Sequence, residues 1–403
     1  MESWFESKSP SFADHIVFYI YNFMKVAFIH NEKKIGTGAH YINDLMSIKL
    51  KEAGVEMKNF YPKVSLDAPV HLGGLKNILF FYSLLEKRKE ILKFDLIQGT
   101  TYTPLPFLAY PIPVVSHFGS TTKGFLDTTP QAKGLEEGPR EIWYRFKKEG
   151  ALKELNIKTR KPLRDIAEVE AYVASKSEAV IATSLNIKKE LIDMGVKEEK
   201  IHLIHNAIED YWFDNDRPEI ISNPHIVFLG RMGNDAFNMK LKGVDRLIHV
   251  YNNFSDIQKT TISMTTNKNF ISWLIKNLQN HSLFINIKKD KIPNIIKKLR
   301  GSILFLPSRY EGFSLSLIEG MSQGLVPVTY PIGVAPEIIK DGENGFIINS
   351  QAEAIEKIKL LLSNNELRKK CSLGAEKTST QFSSNFIAQK LINLYKTISK
   401  SNQ

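Results

Sequence analysis

Two short apolar runs with a helix-length segment between them constrain the fold of this chain most strongly. Ile303–Leu306 and Val326–Thr329 have the composition of buried strands, and residues 315–323 are long enough for about two turns of helix. A strand, helix, strand unit is typical of open α/β sheets, in which ligands bind where the carboxyl ends of strands meet helix N-termini. The loop at residues 308–314 has that position, so we expect the main site there.

Two carboxylates accompany this loop. Glu311 lies on it, and Glu319 follows in the segment that we predict to be the first turn of the helix. Both have ordinary explanations. Ser316 and Glu319 match a capping box, in which two side chains satisfy free helix N–H groups, and Glu311 would be a solvated loop charge. The loop alone leaves the structural and the functional interpretations open.

The whole segment 304–346 resembles the donor-binding signature of the retaining glycosyltransferases of family 4, which have the GT-B fold. The matching positions are Pro307-Ser308, Glu311, Glu319, Pro327, Gly333, Pro336-Glu337, Asp341-Gly342 and Gly345-Phe346. The resemblance implies that Glu311 lies beside the transferred sugar and that Glu319 binds the ribose hydroxyls. A carboxylate suits a vicinal diol because it has several acceptor lone pairs. The loop amides are expected to meet the sugar and diphosphate oxygens, which makes donor-binding candidates of Gly312, Phe313, Ser314 and Leu315.

Further residues of the resemblance lie outside this segment. Arg231 follows the strand-like run 226–229, and Lys242 precedes the next helix, as does the family's pair of cations. Two fixed cations can stabilise the charge of a departing nucleoside diphosphate without a metal, although ordinary surface cations are the alternative. His117 ends another strand and matches the family's histidine near the donor sugar, whereas a lone histidine is more commonly structural.

A Gly-x-Gly turn after the first predicted strand supplies the last candidates. Gly36 and Gly38 match the family's loop beneath the donor diphosphate, but a simple tight turn explains them as well. The chain also departs from the family pattern. Ser314 stands where glycine is common, and Glu209 ends an Asn-Ala-Ile-Glu run where the family has Asn-Gly-Val-Asp. Glycines expected after the next two strands are absent, so the donor base and sugar stay open.

The length of 403 residues is too great for one ordinary core, which predicts two domains. We expect an α/β chain with the GT-B architecture, in which two Rossmann-like domains face each other across a cleft and the last helix crosses back to the first domain. The predicted parts are a dispensable extension at 1–23, an acceptor-binding domain at 24–210, a linker at 211–224, a nucleotide-sugar-binding domain at 225–383 and the crossing helix at 384–403. Residues 123–164 are expected to be mostly basic surface loop.

Composition narrows the compartment and the partners. Cys371 is the only cysteine, so no intramolecular disulfide can form, and we expect a reducing cytoplasm. The formal charge of +11 suits nucleic acid, an anionic membrane or a polyphosphorylated acceptor. Residues 75–94 interleave basic and aromatic side chains, as interfacial helices do, although a packed helix with a solvated face has the same composition. Asp214-Asn215-Asp216 has an Asp-x-Asp pattern, but short acidic clusters are common in linkers, and we expect no metal.

These observations predict a retaining, metal-independent glycosyltransferase of the hexosyltransferase class. We expect a nucleotide sugar as co-substrate, no other cofactor, no nucleic acid partner, and a glycan or lipid-linked acceptor of cell-envelope polysaccharide or lipopolysaccharide biosynthesis. The expected location is the cytoplasm, including the inner face of the membrane. A non-catalytic, two-lobed nucleotide- or sugar-binding protein is the alternative. Arg231 or Lys242 pointing away from the cleft would favour that alternative.

Overall fold

A computed structural model of the chain describes residues 24–30, 38–63, 80–156, 160–214 and 216–401. The strands are β1 Lys25–Ile29, β2 Glu56–Phe60, β3 Leu96–Thr100, β4 Val114–Phe118, β5 Ala179–Ala182, β6 Ile201–Leu203, β7 Ile226–Arg231, β8 Lys259–Met264, β9 His281–Ile285, β10 Ile303–Leu306, β11 Val326–Thr329 and β12 Phe346–Ile347. Within the described residues they form two six-stranded sheets of parallel strands, with the orders β2-β1-β3-β4-β5-β6 and β12-β11-β10-β7-β8-β9. We call the parts built on these sheets the first and second lobes.

Helices connect successive strands, as parallel pairing requires. They are α1 Gly38–Glu52, α2 Arg88–Ile91, α3 Thr122–Thr128, α4 Glu137–Lys148, α5 Lys161–Lys176, α6 Leu185–Asp193, α7 Ala236–Leu241, α8 Val244–Asn252, α9 Lys268–Asn277, α10 Ile292–Ile296, α11 Leu315–Ser322, α12 Ala335–Ile338, α13 Gln351–Ser363, α14 Asn365–Ser379 and α15 Ser384–Ser401. Short 3-10 turns lie at Phe80–Lys87, Leu105–Phe107, Ala132–Gly134, Glu198–Lys200, Asp210–Phe213, Lys289–Lys291, Lys297–Leu299 and Thr380–Phe382. The predicted two-lobed α/β architecture is confirmed.

The last helix returns to the first lobe. Leu391, Ile392 and Tyr395 on α15 are buried in the same apolar cluster as Phe28 of β1. The Tyr395 hydroxyl also donates a hydrogen bond to Gln98 of β3, which fixes the helix across the sheet. The predicted crossing of the C-terminal helix is therefore confirmed, and both ends of the described chain belong to one lobe.

The chain passes between the lobes near residue 208. Ile208 forms an isolated parallel bridge with Ser383, directly before α15, so the outgoing and returning segments run side by side. Trp212 is fully buried in the core of the second lobe, inside the segment that we predicted to be a linker. Residues that precede β7 therefore already belong to the core of the second lobe.

The prediction of surface loop for residues 123–164 was wrong. The helix α4 buries Ile142, Trp143 and Phe146 within one apolar cluster that also contains Phe270 and Trp273 of the second lobe. Basic residues on its outer side hide this amphipathic pattern in the sequence. A segment that leaves the first lobe after α3 therefore crosses to the second lobe and packs there.

Some predicted features lie partly or wholly outside the described residues. Residues 1–23 and Gly36 are among those outside. Residues 80–91 form a 3-10 turn followed by α2, with Phe81, Leu84 and Ile91 buried. Across the described ranges, none of the helices combines the length and the apolar character needed to cross a bilayer.

Candidate active site

The carboxyl ends of β7 and β10 form one side of the cleft. A β-carbon added to Gly230 would come within 3.3 Å of the Ser316 hydroxyl, so the end of β7 lies against the start of α11. Arg231 follows directly. Its side chain is exposed and makes no hydrogen bond or ion pair with any described residue. The first predicted cation therefore lies at the carboxyl end of its strand, available to an anionic ligand.

Lys242 and Glu311 contact each other beside this strand end. The Lys242 ammonium Nζ donates to Glu311 Oε1 at 2.7 Å, and the Ser308 hydroxyl donates to the same oxygen at 2.9 Å. The turn at Gly243 packs on the loop, because a β-carbon there would meet the carbonyl oxygen of Pro307 at 2.0 Å. Both charged side chains are about four-fifths buried, with exposed fractions of 20% and 19%. Two predicted catalytic residues are thus brought together.

The start of α11 differs from the predicted capping box. The helix begins at Leu315 and its N-cap is Ser314, whose side chain makes no capping hydrogen bond. Glu319 consequently lies in the second turn and does not pair with Ser316 in a capping box. Ser314 has a φ of 80°, in the left-handed region that favours glycine. The backbone N–H groups of Leu315 and Ser316 have no acceptor within the described part of the chain, which leaves them available to an anion.

Glu319 belongs to a buried charged cluster that sequence reasoning missed. Its Oε1 lies 3.0 Å from Nζ of Lys289, and that ammonium donates to the two oxygens of Glu209 at 2.7 and 2.9 Å. Burial raises the pKa of Glu319, whereas the charge of Lys289 lowers it. Burial lowers the pKa of Lys289, but the charges of the two carboxylates raise it by more. The three groups come from distant parts of the sequence, and the acidic end of the Asn-Ala-Ile-Glu run was the only local signal.

His117 lies near the carboxyl end of β4. It is 9% exposed, and burial lowers its pKa to about 4, although the neighbouring Asn206 opposes this shift. The imidazole is therefore neutral near pH 7. Its Nδ1 and Asn206 Oδ1 are buried without a hydrogen-bond partner among the described groups, and both residues line a small cavity with Gln98. Within the described residues, no hydrogen bond or ion pair joins His117 to Glu311 or Lys242.

The site loop is tied to the first lobe by several contacts. The Tyr310 hydroxyl accepts from the backbone N–H of Thr121 at 3.0 Å and donates to Glu190 Oε2 at 2.8 Å. The Ser184 hydroxyl donates to the Gly312 carbonyl at 2.7 Å. A β-carbon on Gly312 would lie 1.8 Å from the carbonyl oxygen of Gly119, so no larger residue fits there. The lobes therefore meet at the predicted donor loop.

Two buried carboxylates hold the first-lobe side of this contact. Glu170 accepts from the backbone N–H and the hydroxyl of Thr122, at 2.7 and 2.9 Å. Burial raises its pKa to about 7. Burial also raises the pKa of Glu190, while bonds from Thr121 and Tyr310 oppose the rise. The sequence showed Glu170 only as an acidic residue on a helix, because its partner lies far away along the chain.

The remaining candidate residues lie at the starts of helices and at the contact between the lobes. Gly38 is the first residue of α1, Phe313 is buried between the lobes, and Leu315 packs against apolar clusters of both lobes. In the part of the chain that the structure describes, no group of three or more His, Cys, Asp or Glu side chains could hold a metal ion. Asp216 instead pairs with Lys297 at 2.8 Å.

Two family models match the chain, one on each lobe. The model described as Glycosyltransferase Family 4 matches residues 50–211, and the model described as Glycosyl transferases group 1 matches residues 224–378. The boundary between them falls in the segment that joins the two sheets. The two models therefore correspond to the two lobes.

Curated relatives are similar over parts of the chain. An uncharacterized glycosyltransferase of Methanocaldococcus jannaschii is 29% identical over 215 residues, which is 53% of this chain and 57% of that protein. An uncharacterized 41.2 kDa protein in the cps region of Klebsiella pneumoniae is 24% identical over 57% of this chain and 64% of its own length. The N,N'-diacetylbacillosaminyl-diphospho-undecaprenol alpha-1,3-N-acetylgalactosaminyltransferase of Campylobacter jejuni is 30% identical over 27% of this chain and 30% of its own length. The chain thus spans less than two thirds of each of these relatives.

Solved structures match along nearly the whole chain. Sucrose-phosphate synthase from Thermosynechococcus elongatus superposes with a TM-score of 0.72 at 13% identity, covering 94% of this chain and 100% of that chain. HepE of Anabaena in complex with UDP and glucose gives 0.63 at 15% identity, with coverage of 93% and 99%. WaaG, a glycosyltransferase involved in lipopolysaccharide biosynthesis, gives 0.63 at 14% identity, with coverage of 92% and 99%. At these identities the likeness shows the fold alone.

Proposed function

This chain belongs to the family 4 glycosyltransferases with the GT-B fold, and on that premise we propose that it transfers a sugar from a nucleotide-sugar donor to a glycan or lipid-linked acceptor. We further propose that transfer retains the anomeric configuration and needs no metal ion. The catalytic residues in this proposal are Glu311, Arg231, Lys242 and His117. Glu319 and the loop 312–315 bind the donor.

The observation that carries the proposal is the meeting of charges at the carboxyl ends of β7 and β10. Lys242 bonds to Glu311 at 2.7 Å, Arg231 is unpaired among the described residues, and the first amides of α11 lack acceptors there. A nucleoside diphosphate becomes more negative as the sugar leaves it. Fixed cations and amides in a partly buried cleft stabilise that charge without reorganising, which lowers the barrier.

The condition of Glu319 supports binding of a ribose. The residue is 6% exposed and pairs with Lys289 through Oε1 at 3.0 Å, whereas no described group donates a hydrogen bond to its Oε2. An ionised carboxylate oxygen without a donor is able to accept from a ligand. A vicinal diol supplies two donors to one carboxylate. The ribose of the nucleotide is the part of a nucleotide sugar that carries such a diol.

Glu311 and His117 have different parts in the proposal. Glu311 is held by Lys242 and Ser308, so its carboxylate has a fixed place from which to steady positive charge that develops at the anomeric carbon. Front-face transfer with retention is the family expectation. His117 is neutral and its Nδ1 has no described partner, which fits a role as a hydrogen-bonding group toward the sugar side of the first lobe.

The acceptor is proposed from the relatives and from the surface. One relative is encoded in a cps region, another is named for an undecaprenol-linked substrate, and WaaG is described as acting in lipopolysaccharide biosynthesis. Tyr82, Arg88 and Lys89 are exposed on the first lobe. An exposed aromatic beside basic side chains suits the headgroup region of an anionic bilayer. We therefore propose a cell-envelope acceptor, reached at the inner face of the membrane.

The non-catalytic alternative gains no support from the cations. It would be favoured if Arg231 or Lys242 pointed away from the cleft, and of these two Lys242 contacts Glu311 of the predicted donor loop. A protein that only binds a nucleotide sugar has no need of a cation fixed beside a carboxylate at the sugar.

A binding screen followed by a transfer assay tests the proposed function. The full chain is heated with ADP, GDP, UDP, CDP and their glucose, galactose and N-acetylglucosamine forms, because a compound that binds only the folded state raises the unfolding temperature. The donor that stabilises most is then incubated with undecaprenol-linked and soluble glycan acceptors. We expect a product whose anomeric proton coupling equals that of the donor. Inversion of the anomeric configuration would contradict the retaining mechanism. If a nucleotide sugar stabilises the protein but its sugar is transferred neither to water nor to any acceptor, the non-catalytic binding protein is favoured.

A further inference from the structure

Glu209, Lys289 and Glu319 meet at the second turn of α11, the helix that follows the predicted donor loop. Glu209 comes from the segment between the lobes, Lys289 from the turn after β9, and Glu319 from the second turn of α11. Their side chains are 14%, 12% and 8% exposed, so the cluster is largely shielded from water. The aromatic ring of Tyr41 on α1 covers the ammonium, with 4.6 Å between Nζ and the ring centroid. The cluster therefore joins both lobes and the connection between them.

The lysine is shared unequally between the two carboxylates. Its Nζ hydrogen-bonds to both oxygens of Glu209, whereas it pairs with Glu319 through Oε1 alone, at 3.0 Å. Lys289 thus supplies positive charge to Glu319 and leaves its Oε2 without a donor among the described groups. That difference matters because a bound diol needs the lone pairs, and the buried carboxylate needs the charge to remain ionised.

We propose that Glu209 and Lys289 are positioning residues that keep Glu319 ionised and free to accept both ribose hydroxyls. The pair thereby makes the site selective for ribonucleotides over 2′-deoxyribonucleotides. The inference rests on the proposed function, since it concerns the nucleotide end of the same donor site.

Loss of Glu209 and loss of Lys289 would affect Glu319 in different ways. Without the carboxylate of Glu209, the ammonium would turn its protons to Glu319 and compete with the ribose. Without Lys289, burial would favour the protonated form of Glu319, and a neutral carboxyl group accepts more weakly from hydroxyls. The hydroxyl of Tyr211 stays protonated, because burial and the charges of Glu209 and Glu319 raise its pKa.

A purely structural role for Glu209 is the competing explanation. Its Oε2 also accepts from the indole N–H of Trp212 at 3.1 Å, which anchors the segment between the lobes. Loss of that anchor would weaken binding of ribonucleotides and deoxyribonucleotides alike. The ratio of the two affinities therefore separates positioning of Glu319 from support of the fold.

The test uses isothermal titration calorimetry on the full chain with ADP, GDP, UDP and CDP and their 2′-deoxy forms. We expect the wild-type protein to bind its preferred ribonucleotide roughly tenfold or more tightly than the deoxy form, since hydrogen bonds to charged groups are the stronger ones. Glu209→Gln should reduce that ratio to within about threefold. Asp210→Asn is the matched control, because Asp210 contacts Lys49 and Ser384 and does not touch Lys289. It should leave the ratio unchanged.

A second variant, Lys289→Met, tests the inference independently. It also replaces Glu209→Gln if that variant does not fold. Its ribonucleotide affinity should be low near pH 6 and should rise with pH as Glu319 ionises, whereas the wild type should show little of this rise. An unchanged ratio in Glu209→Gln, or a flat pH profile in Lys289→Met, would overturn the inference while the proposed function stands. Failure of the wild type to bind any of the eight nucleotides would overturn both.

Discussion

Replacing Trp143 by alanine should destabilise the second lobe, although Trp143 precedes that lobe in the sequence. The indole is fully buried in the cluster that contains Phe146 and Phe270, and the ammonium of Lys240 lies 5.1 Å from its ring centroid. Its N–H donates to the carbonyl of Leu155 at 3.1 Å. The side chain therefore combines apolar packing, a cation–π contact and one hydrogen bond.

The expected cost of Trp143→Ala is about 3 to 5 kcal/mol, the range for removal of a large aromatic side chain from a core. The upper half of that range is expected, because the surrounding rings are themselves packed and the Leu155 carbonyl loses its donor. Trp143→Phe keeps most of the packing and removes the hydrogen bond, so it should cost about 1 to 2 kcal/mol. The contrast between the two variants separates packing from hydrogen bonding.

Urea unfolding followed by far-ultraviolet circular dichroism measures these costs, since the signal does not depend on the altered tryptophan. Tyr144→Ala is the matched control, because Tyr144 is the next residue on α4 and is 46% exposed. It should change stability by no more than about 0.5 kcal/mol. If Trp143→Ala were as mild as Tyr144→Ala, α4 would not be packed on the second lobe, and the reasoning would be refuted.

Three further predictions concern pH, metal and membrane. Burial raises the pKa of Glu170 from its usual value of 4.5 to about 7, so its contribution to stability is complete below about pH 4.5 and is lost as the pH rises through about 7. Glu170→Gln should therefore remove about 2 to 3 kcal/mol of the decline in stability that urea unfolding measures between pH 5 and pH 8, and an equal decline in both proteins would contradict this prediction. Turnover should persist in excess chelator, whereas abolition with rescue by magnesium or manganese would point to Asp214 and Asp216. Co-sedimentation with anionic vesicles should weaken as salt shortens the Debye length from about 10 Å at 0.1 M to about 3 Å at 1 M, and should weaken in Arg88→Glu; equal binding to neutral vesicles would count against the membrane proposal.

The fold could be predicted because its signals are local. The runs Ile303–Leu306 and Val326–Thr329 are apolar except for Thr329 and are buried along their whole length, as strands covered on both faces of a parallel sheet are. The paired residues Lys242 and Glu311 were found through sequence motifs in the connections that follow the neighbouring strands β7 and β10. Parallel strands bring those ends to one edge of the sheet, so motif and topology agree.

The features that escaped prediction depend on contacts between distant residues. The apolar face of α4 finds its partners beyond the first lobe, and its basic outer side resembles a surface loop in the sequence. The bounds of α11 were predicted to within one residue, but its N-cap is Ser314 in a left-handed conformation and not Ser316. The contact of Lys289 with Glu209 joins residues 80 positions apart, a distance at which no local pattern operates.

Titration of two glutamate variants tests the central claim most directly. Glu319→Gln and Glu311→Gln are compared with the wild type by calorimetry with the free nucleoside diphosphate and by turnover with the nucleotide sugar. The roles proposed here predict that Glu319→Gln weakens nucleoside diphosphate binding by roughly 1.5 to 3 kcal/mol, because it removes a charged acceptor from the ribose. Glu311→Gln should keep that affinity and lose turnover, the pattern of an interaction made mainly in the transition state. Loss of nucleotide affinity in Glu311→Gln, with none in Glu319→Gln, would contradict the assignment of the two carboxylates.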